Sequence, residues 1–205
     1  MKVLIINGSP RLNGNCVRLQ KEMEEVFRKE GVEVGAYQIG SKDIRGCMAC
    51  SYCNKNGECV FKDDVNDLAK RFEKADGLVI LSPVYYASPN GSLISLLDRL
   101  FRSTSFDKRF KVGAAFAVAR RAGTVASFDV LNKYFTISQM PIASGRYWNN
   151  GFGLDPEQIN EDHEGLQNAR IVASNMTFLM KAIRDAKEKY GLPEKEPVTK
   201  THFIK

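Results

Sequence analysis

The chain reads as an α/β protein with a doubly wound, five-stranded parallel sheet and helices on both faces. Three observations predict this. Short unbroken apolar runs, such as Val3-Leu4-Ile5-Ile6 and Leu78-Val79-Ile80-Leu81, alternate five times with stretches of helical periodicity. Apolar runs without polar alternation suit strands that are covered on both faces. The segments between them are long enough to cross over a sheet as a helix, which a parallel neighbour requires.

The first strand is expected over residues 2–7, closed by the turn Asn7-Gly8-Ser9-Pro10. From Asn15 to Lys29, Val17, Leu19, Met23, Val26 and Phe27 recur near helical spacing, and Gly31 ends that helix. Val32 to Ile39 alternates as a second strand. A polar, cysteine-rich loop follows over 46–62. Asp63-Asp64 open the second helix, where acidic side chains suit the positive end of the dipole. Residues 77–81 form the third buried strand. Ser92 to Arg102 sets Leu93, Leu96, Leu97 and Leu100 on one helical face. Lys111 to Ala119 is the fourth strand, and a helix is expected over 125–134. Met140-Pro141-Ile142-Ala143 reads as a short fifth strand. A long helix runs from about Asp162 to Tyr190, with Leu166, Ala169, Ala173, Met176, Met180 and Ile183 in a stripe. The result is a single domain over 1–192 and a polar tail over 193–205.

The bulk properties are those of a globular protein: 205 residues, 43% hydrophobic and 26% charged. No stretch has the apolar length of a bilayer span, and the apolar opening is too short for a signal peptide. A cytoplasmic protein with no membrane partner is therefore expected. The net charge of +6 is spread over helix surfaces such as Lys181 to Lys189. With no nucleic-acid module in view, no nucleic-acid partner is expected. The two histidines, His163 and His202, join no nucleophile–carboxylate set, so a hydrolase triad is not expected.

In a doubly wound sheet, ligands bind beyond the carboxyl ends of the strands. After the first strand comes Gly8-Ser9-Pro10-Arg11-Leu12-Asn13-Gly14-Asn15-Cys16, which runs into a helix. Glycines permit the tight turn, and a helix N-terminus offers free N–H groups to a phosphate. The loop is neither a Walker A sequence nor Gly-x-Gly-x-x-Gly. It resembles the NADPH-dependent FMN reductase branch of the flavodoxin-like superfamily, which carries Gly-Ser-x-Arg and then Gly-Asn-Ser/Thr here. The resemblance implies strand order 2-1-3-4-5 and an FMN whose phosphate lies among Ser9, Arg11, Asn15 and Cys16, with Val17 in the same turn. Cys16 departs from the pattern. A thiol is a weak donor, so its backbone N–H is expected to serve instead.

The loop after the third strand, Ser82-Pro83-Val84-Tyr85-Tyr86-Ala87-Ser88-Pro89-Asn90, carries two stiffening prolines and two tyrosines. An isoalloxazine ring needs backbone donors at its polar edge and a flat wall. The family's Pro-x-Tyr and Leu-x-x-x-x-Asp-Arg are matched from Pro83 to Tyr85 and from Leu93 to Asp98-Arg99. The resemblance thus sets Pro83, Val84, Tyr85, Tyr86 and Asn90 at the flavin. After the fourth strand, Arg120, Arg121 and Gly123 correspond to the loop at the pyrimidine end. A donor there stabilises the negative charge of reduced flavin. Tyr147-Trp148-Asn149 and Asp162-His163-Glu164-Gly165 extend the resemblance to about Ile183.

Four of the five cysteines fall in one loop, as Cys47-x2-Cys50-x2-Cys53-x5-Cys59. Such bunching reads as metal or redox chemistry. Three readings stay open: a [4Fe–4S] cluster, four free or redox-active thiols, or structural zinc. The spacing resembles that of the iron–sulfur flavoproteins, which implies a [4Fe–4S] cluster near the FMN. The expected function is FMN-dependent transfer of electrons from NAD(P)H to a flavin, quinone or iron–sulfur centre, with no catalytic acid or base. The alternatives are a ferredoxin-linked electron-transfer protein with FMN and a cluster, and a zinc-stabilised FMN-binding module. The expected partners are a small-molecule or protein electron acceptor. Tyr85, Tyr86 and Trp148, set beside the family's habit, imply a homodimer or homotetramer.

Overall fold

The computed structural model describes residues 1–201 and 203. In chain order its strands are β1 (Lys2–Asn7), β2 (Glu33–Gln38), β3 (Gly77–Tyr85), β4 (Ser88–Pro89), β5 (Val112–Ala119) and β6 (Asn150–Phe152). The helices are α1 (Asn15–Lys29), α2 (Tyr52–Asn56), α3 (Asp64–Glu73), α4 (Gly91–Ser103), α5 (Thr124–Ile137) and α6 (His163–Tyr190). A 3₁₀ turn over Gln158–Glu161 precedes α6. Among the described residues, β2-β1-β3-β5-β6 lie side by side and all parallel, while β4 folds back antiparallel on the end of β3. Counting the parallel strands alone, this is the expected order 2-1-3-4-5.

The unbroken apolar runs divide between the two faces of the sheet. Val3, Ile5, Val79 and Leu81 pack with Leu19 and Phe27 of α1 and Val172 and Met176 of α6. Their neighbours Leu4, Ile6, Leu78 and Ile80 pack with Phe72 of α3, Leu97 of α4 and Leu131 and Phe135 of α5. Successive strand side chains point to opposite faces, so a strand buried on both sides must be apolar at every position. Glycine sets the closest approach at two points. A Cβ on Gly113 would lie 2.6 Å from the Phe135 ring, and one on Gly77 would lie 2.3 Å from Met176.

Three elements differ from the sequence reading: the cysteine-rich loop contains the short helix α2, β4 pairs back on β3, and the edge strand lies elsewhere. Residues 140–143 make only an isolated bridge, between Ile142 and Gly113, and the edge strand is Asn150–Phe152. Pro141 lacks the N–H that a strand interior uses, and the chain leaves the sheet before returning beside the end of β5.

Helices α1 and α6 are clamped through Glu22, which pairs with Arg18 on its own helix and with Arg170 of α6 at 3.0 Å. Burial pushes the Glu22 carboxyl up, but hydrogen bonds and charge from the two arginines outweigh it, leaving the pKa below the ordinary value. A depressed carboxylate stabilises the fold above its unfolded pKa, and that contribution is lost as pH falls through the folded value. Glu22→Gln is expected to cost about 1 kcal/mol at pH 7, the arginines being partly solvated. Urea unfolding at pH 7 and at pH 3 checks this: the gap between variant and parent should close at the lower pH.

Candidate functional site

Strand order reverses between β1 and β3, and the register sets Asn7 beside Leu81 and Pro83 beside Val118. A cavity of about 170 Å³ lies beyond these ends. The first loop contributes Ser9, Arg11, Asn15 and Cys16 to its wall. The β3 end contributes Pro83, Val84 and Tyr85, and the loop after β5 contributes Arg120. Three distant segments of the sequence reading therefore meet around one space.

The first loop is held in shape by its own polar groups. Asn7 Oδ1 accepts from the Ser9 N–H at 2.9 Å, and Ser9 Oγ accepts from the Arg11 N–H at 3.1 Å. Helix α1 then begins at Asn15 with Gly14 at its N-cap, so it has no side-chain cap, and no acidic residue stands in its first turn. Helices α3, α4 and α6 are capped by Asp63, Asn90 and Asp162. An absent cap costs about 1 kcal/mol and leaves the first N–H groups open to an anion. On α1 that open turn, Gly14 to Cys16, is itself part of the cavity wall.

Other candidate residues stand outside the wall. The Val17 N–H donates to the Gly14 carbonyl at 3.0 Å. Asn90 caps α4 by accepting from the Leu93 N–H at 3.1 Å, and its own N–H donates to Ser82 Oγ at 2.9 Å. Tyr86 and Ala87 adopt left-handed backbone, φ 50° and 58°, in the turn between β3 and β4. That conformation disfavours side-chain-bearing residues by roughly 1–2 kcal/mol each. It leaves Tyr86 fully exposed. A Cβ on Gly123, at φ +87°, would lie 2.7 Å from Ala87 Cα, so glycine lets the two loops touch. Arg121 is exposed beside it.

Gly153 and Leu154, which sequence reasoning passed over, also line the cavity. Arg11 Nη1 donates to the Leu154 carbonyl at 3.0 Å, and Asn15 Oδ1 accepts from the Ile159 N–H at 3.3 Å. A Cβ on Gly153 would lie 2.6 Å from Asn15 Nδ2. The legible signal was the pair of glycines flanking Phe152, which allows the chain to pass this close.

Cys16 is buried, and burial pushes its thiol up to about 12, with its own backbone amide and Arg11 pulling only part of the way back. It stays protonated at neutral pH and packs with the core. In native iron-free protein, an alkylating reagent is expected to label the exposed Cys47 and Cys50 first and to spare Cys16, as peptide mass analysis would show.

A second cavity, about 150 Å³, is lined by Cys47, Cys50, Cys53 and Cys59 together with Phe61, Arg99, Arg102 and Ser103. Its fixed side is built on Arg99, which is 1% exposed. The guanidinium donates to both Asp63 oxygens at 2.6 and 2.7 Å, to Cys59 Sγ at 3.3 Å and to the Arg45 carbonyl at 3.1 Å. It lies over the Phe61 ring, 4.8 Å from the centroid. The Asn66 side chain grips the Cys59 N–H and carbonyl at 2.9 and 3.0 Å. Cys47 and Cys50 are on the open side. Among the described residues, no three His, Cys, Asp or Glu side chains stand close enough to hold a metal ion. The four sulfurs share a cavity without converging. His163 opens α6, and His202 lies outside the described residues.

The family described as NADPH-dependent FMN reductase matches residues 1–155. An iron-sulfur flavoprotein of Methanocaldococcus jannaschii is 31% identical over 192 residues, covering 90% of this chain and all of the relative. An iron-sulfur flavoprotein of Methanosarcina thermophila is 28% identical over 193 residues, covering 92% of this chain and all of the relative. In structure, the chain is similar to a flavodoxin from the domain Archaea: TM-score 0.59, 13% identity, 88% of this chain and 99% of that one. Among the described residues, no helix is long and apolar enough to cross a membrane.

Proposed function

Because the chain belongs to the NADPH-dependent FMN reductase family, we propose that it is an FMN-dependent oxidoreductase that carries electrons from NAD(P)H to an acceptor. The observation that carries this reading is the cavity at the switch point, which joins the uncapped start of α1 to the stiff wall Pro83-Val84-Tyr85. Ser9, Arg11 and the open amides of Asn15 and Cys16 hold the phosphate. The segment Pro83 to Tyr85 offers a flat boundary to the ring, and Arg120 adds positive charge to the cavity wall. Bound FMN supplies the redox chemistry. The protein orients the cofactor and fixes the charge around it, and no side chain is required as an acid or base.

The second cavity carries the donor set of a [4Fe–4S] cluster, which Cys47, Cys50, Cys53 and Cys59 would hold once drawn together. Thiolates are the donors such a cluster takes, and Arg99 and Arg102 bring positive charge to an anionic group. A bound cluster would supply one-electron transfer. The same cavity supports a second reading, an FMN/[4Fe–4S] electron-transfer protein that takes electrons from ferredoxin. Structural zinc is the third.

Anaerobic purification followed by absorption spectroscopy, metal and sulfide analysis, and titration with NADH and NADPH separates these. Stoichiometric FMN bleached by either nucleotide supports the oxidoreductase. FMN with iron and sulfide that neither nucleotide reduces favours the ferredoxin-linked reading. Protein that binds no FMN overturns all three.

Assembly is proposed on the exposed aromatics Tyr85 and Tyr86, at the turn beside the first cavity, and Trp148, which lines a separate surface hollow with Tyr147. Covering them calls for a second copy of the chain, as a homodimer or homotetramer. Sedimentation should give at least a dimer, and a monomer at all concentrations would refute it.

A further inference from the structure

We propose that Ser103 donates its hydroxyl hydrogen to a sulfur of the group held in the four-cysteine cavity and thereby raises that group's reduction potential. The inference rests on the reading of that cavity as an iron–sulfur site. Ser103 closes α4 and is 5% exposed, it lines the cavity, and its Oγ has no hydrogen-bond partner.

The ordinary partner for a hydroxyl in a helix is the carbonyl one turn back. The next residue makes that bond: Thr104 Oγ1 donates to the Leu100 carbonyl at 2.8 Å. Ser103 leaves the matching bond unmade. A buried hydroxyl without a partner costs about 1–3 kcal/mol, so the position is expensive unless an acceptor arrives. The cavity wall holds acceptors of its own, the four cysteine sulfurs and the Ser51 hydroxyl, but none of them bonds Ser103 Oγ. The missing acceptor therefore arrives with the occupant, as one of its own sulfurs or as a cysteine sulfur it draws in. A bare zinc ion brings no acceptor atom. An iron–sulfur cluster brings inorganic sulfides and sharpens the charge on the thiolates around it.

The direction of the effect follows from charge. Adding an electron makes the group more negative and strengthens each hydrogen bond donated to its sulfurs, so a donor favours the reduced form. Arg99 is committed to Asp63, Cys59 and Arg45, which makes it a poor probe because its removal disturbs the loop. Ser103→Ala removes one oxygen, keeps helix propensity and abolishes the unmet hydroxyl. Ser103 acts through the cluster and is a positioning residue, not a catalytic one.

The test uses the full chain, reconstituted anaerobically with iron and sulfide, in three forms: parent, S103A and S103T. Iron, sulfide and FMN content are measured first, then the cluster is titrated against potential by its visible absorbance. S103A is expected to hold the same iron and FMN while its reduced-to-oxidised ratio at fixed potential falls severalfold, with about fivefold, the full worth of one hydrogen bond, as the upper limit. S103T, which keeps a hydroxyl, is expected to move back toward the parent. An S103A midpoint equal to the parent's, with iron intact, overturns the proposal alone. Loss of iron from S103A makes the residue structural and also overturns it. A parent chain that takes up no iron and sulfide overturns the cluster reading, and the proposal with it.

Discussion

Asn15→Asp is expected to weaken FMN binding about a thousandfold while leaving the FMN-free protein as stable as before or slightly more so. The substitution is isosteric and keeps the oxygen that accepts from the Ile159 N–H. It places a negative charge in the first turn of α1, where no side-chain cap and no acidic residue now stand. For the empty protein that charge suits the helix dipole, worth about 0.3–1 kcal/mol. For a phosphate seated on the same turn it is a like charge. Two unit charges about 4 Å apart near a protein surface repel by about 4 kcal/mol, which is the thousandfold. Quenching of FMN fluorescence measures the affinity, and thermal unfolding without FMN measures the stability. Opposite signs in the two measurements mark a helix end kept open for an anion. An affinity within tenfold of the parent's would put the phosphate elsewhere.

Arg99→Met is expected to destabilise the protein by about 3–5 kcal/mol, because it strips the partner from a carboxylate while leaving the carboxylate in place. Asp63 would lose both of its charge-assisted bonds, and Cys59 and the Arg45 carbonyl would each lose a donor. Asp63 also caps α3 by accepting from the Val65 N–H at 3.2 Å, so the loss spreads to the start of that helix. Each kcal/mol corresponds to roughly 2–4 °C in melting temperature for a chain of this size. Arg99→Lys should recover only part of the loss, since an ammonium cannot present two parallel donors to Asp63 and a third to Cys59. Urea unfolding gives the magnitude, and alkylation of Cys59 in the native protein reports whether the loop has opened. A cost below 1 kcal/mol with Cys59 still protected would mean that Asn66 and the apolar packing hold the loop without the guanidinium.

The sequence alone determined the first four parallel strands and the loop that opens α1, because both depend on local signals. Val3 to Ile6 and Leu78 to Leu81 can only be strands covered on both faces, and the bounds of α1 follow from its apolar spacing and the turn before it. The Gly14-Asn15 start of α1, without a capping side chain, announced a helix end left free. The four cysteines announced a common site by crowding into one loop. What depended on distance in the chain was settled only by tertiary structure. The edge strand fell at Asn150–Phe152 and not at Met140 to Ala143, because Pro141 cannot donate to its neighbour and pairing with β5 resumes only at Asn149, whose carbonyl accepts from the Ala117 N–H. Gly153 became part of the first cavity because α6 begins close to α1, bringing a segment nearly 140 residues distant against Asn15. Arg99 matched a family motif, yet nothing local to α4 shows that its charge is buried against Asp63 and Cys59. That pairing exists because α3 and α4 pack on the same face of the sheet, and only in that packing does a cation within α4 become the fixed wall of the cysteine cavity.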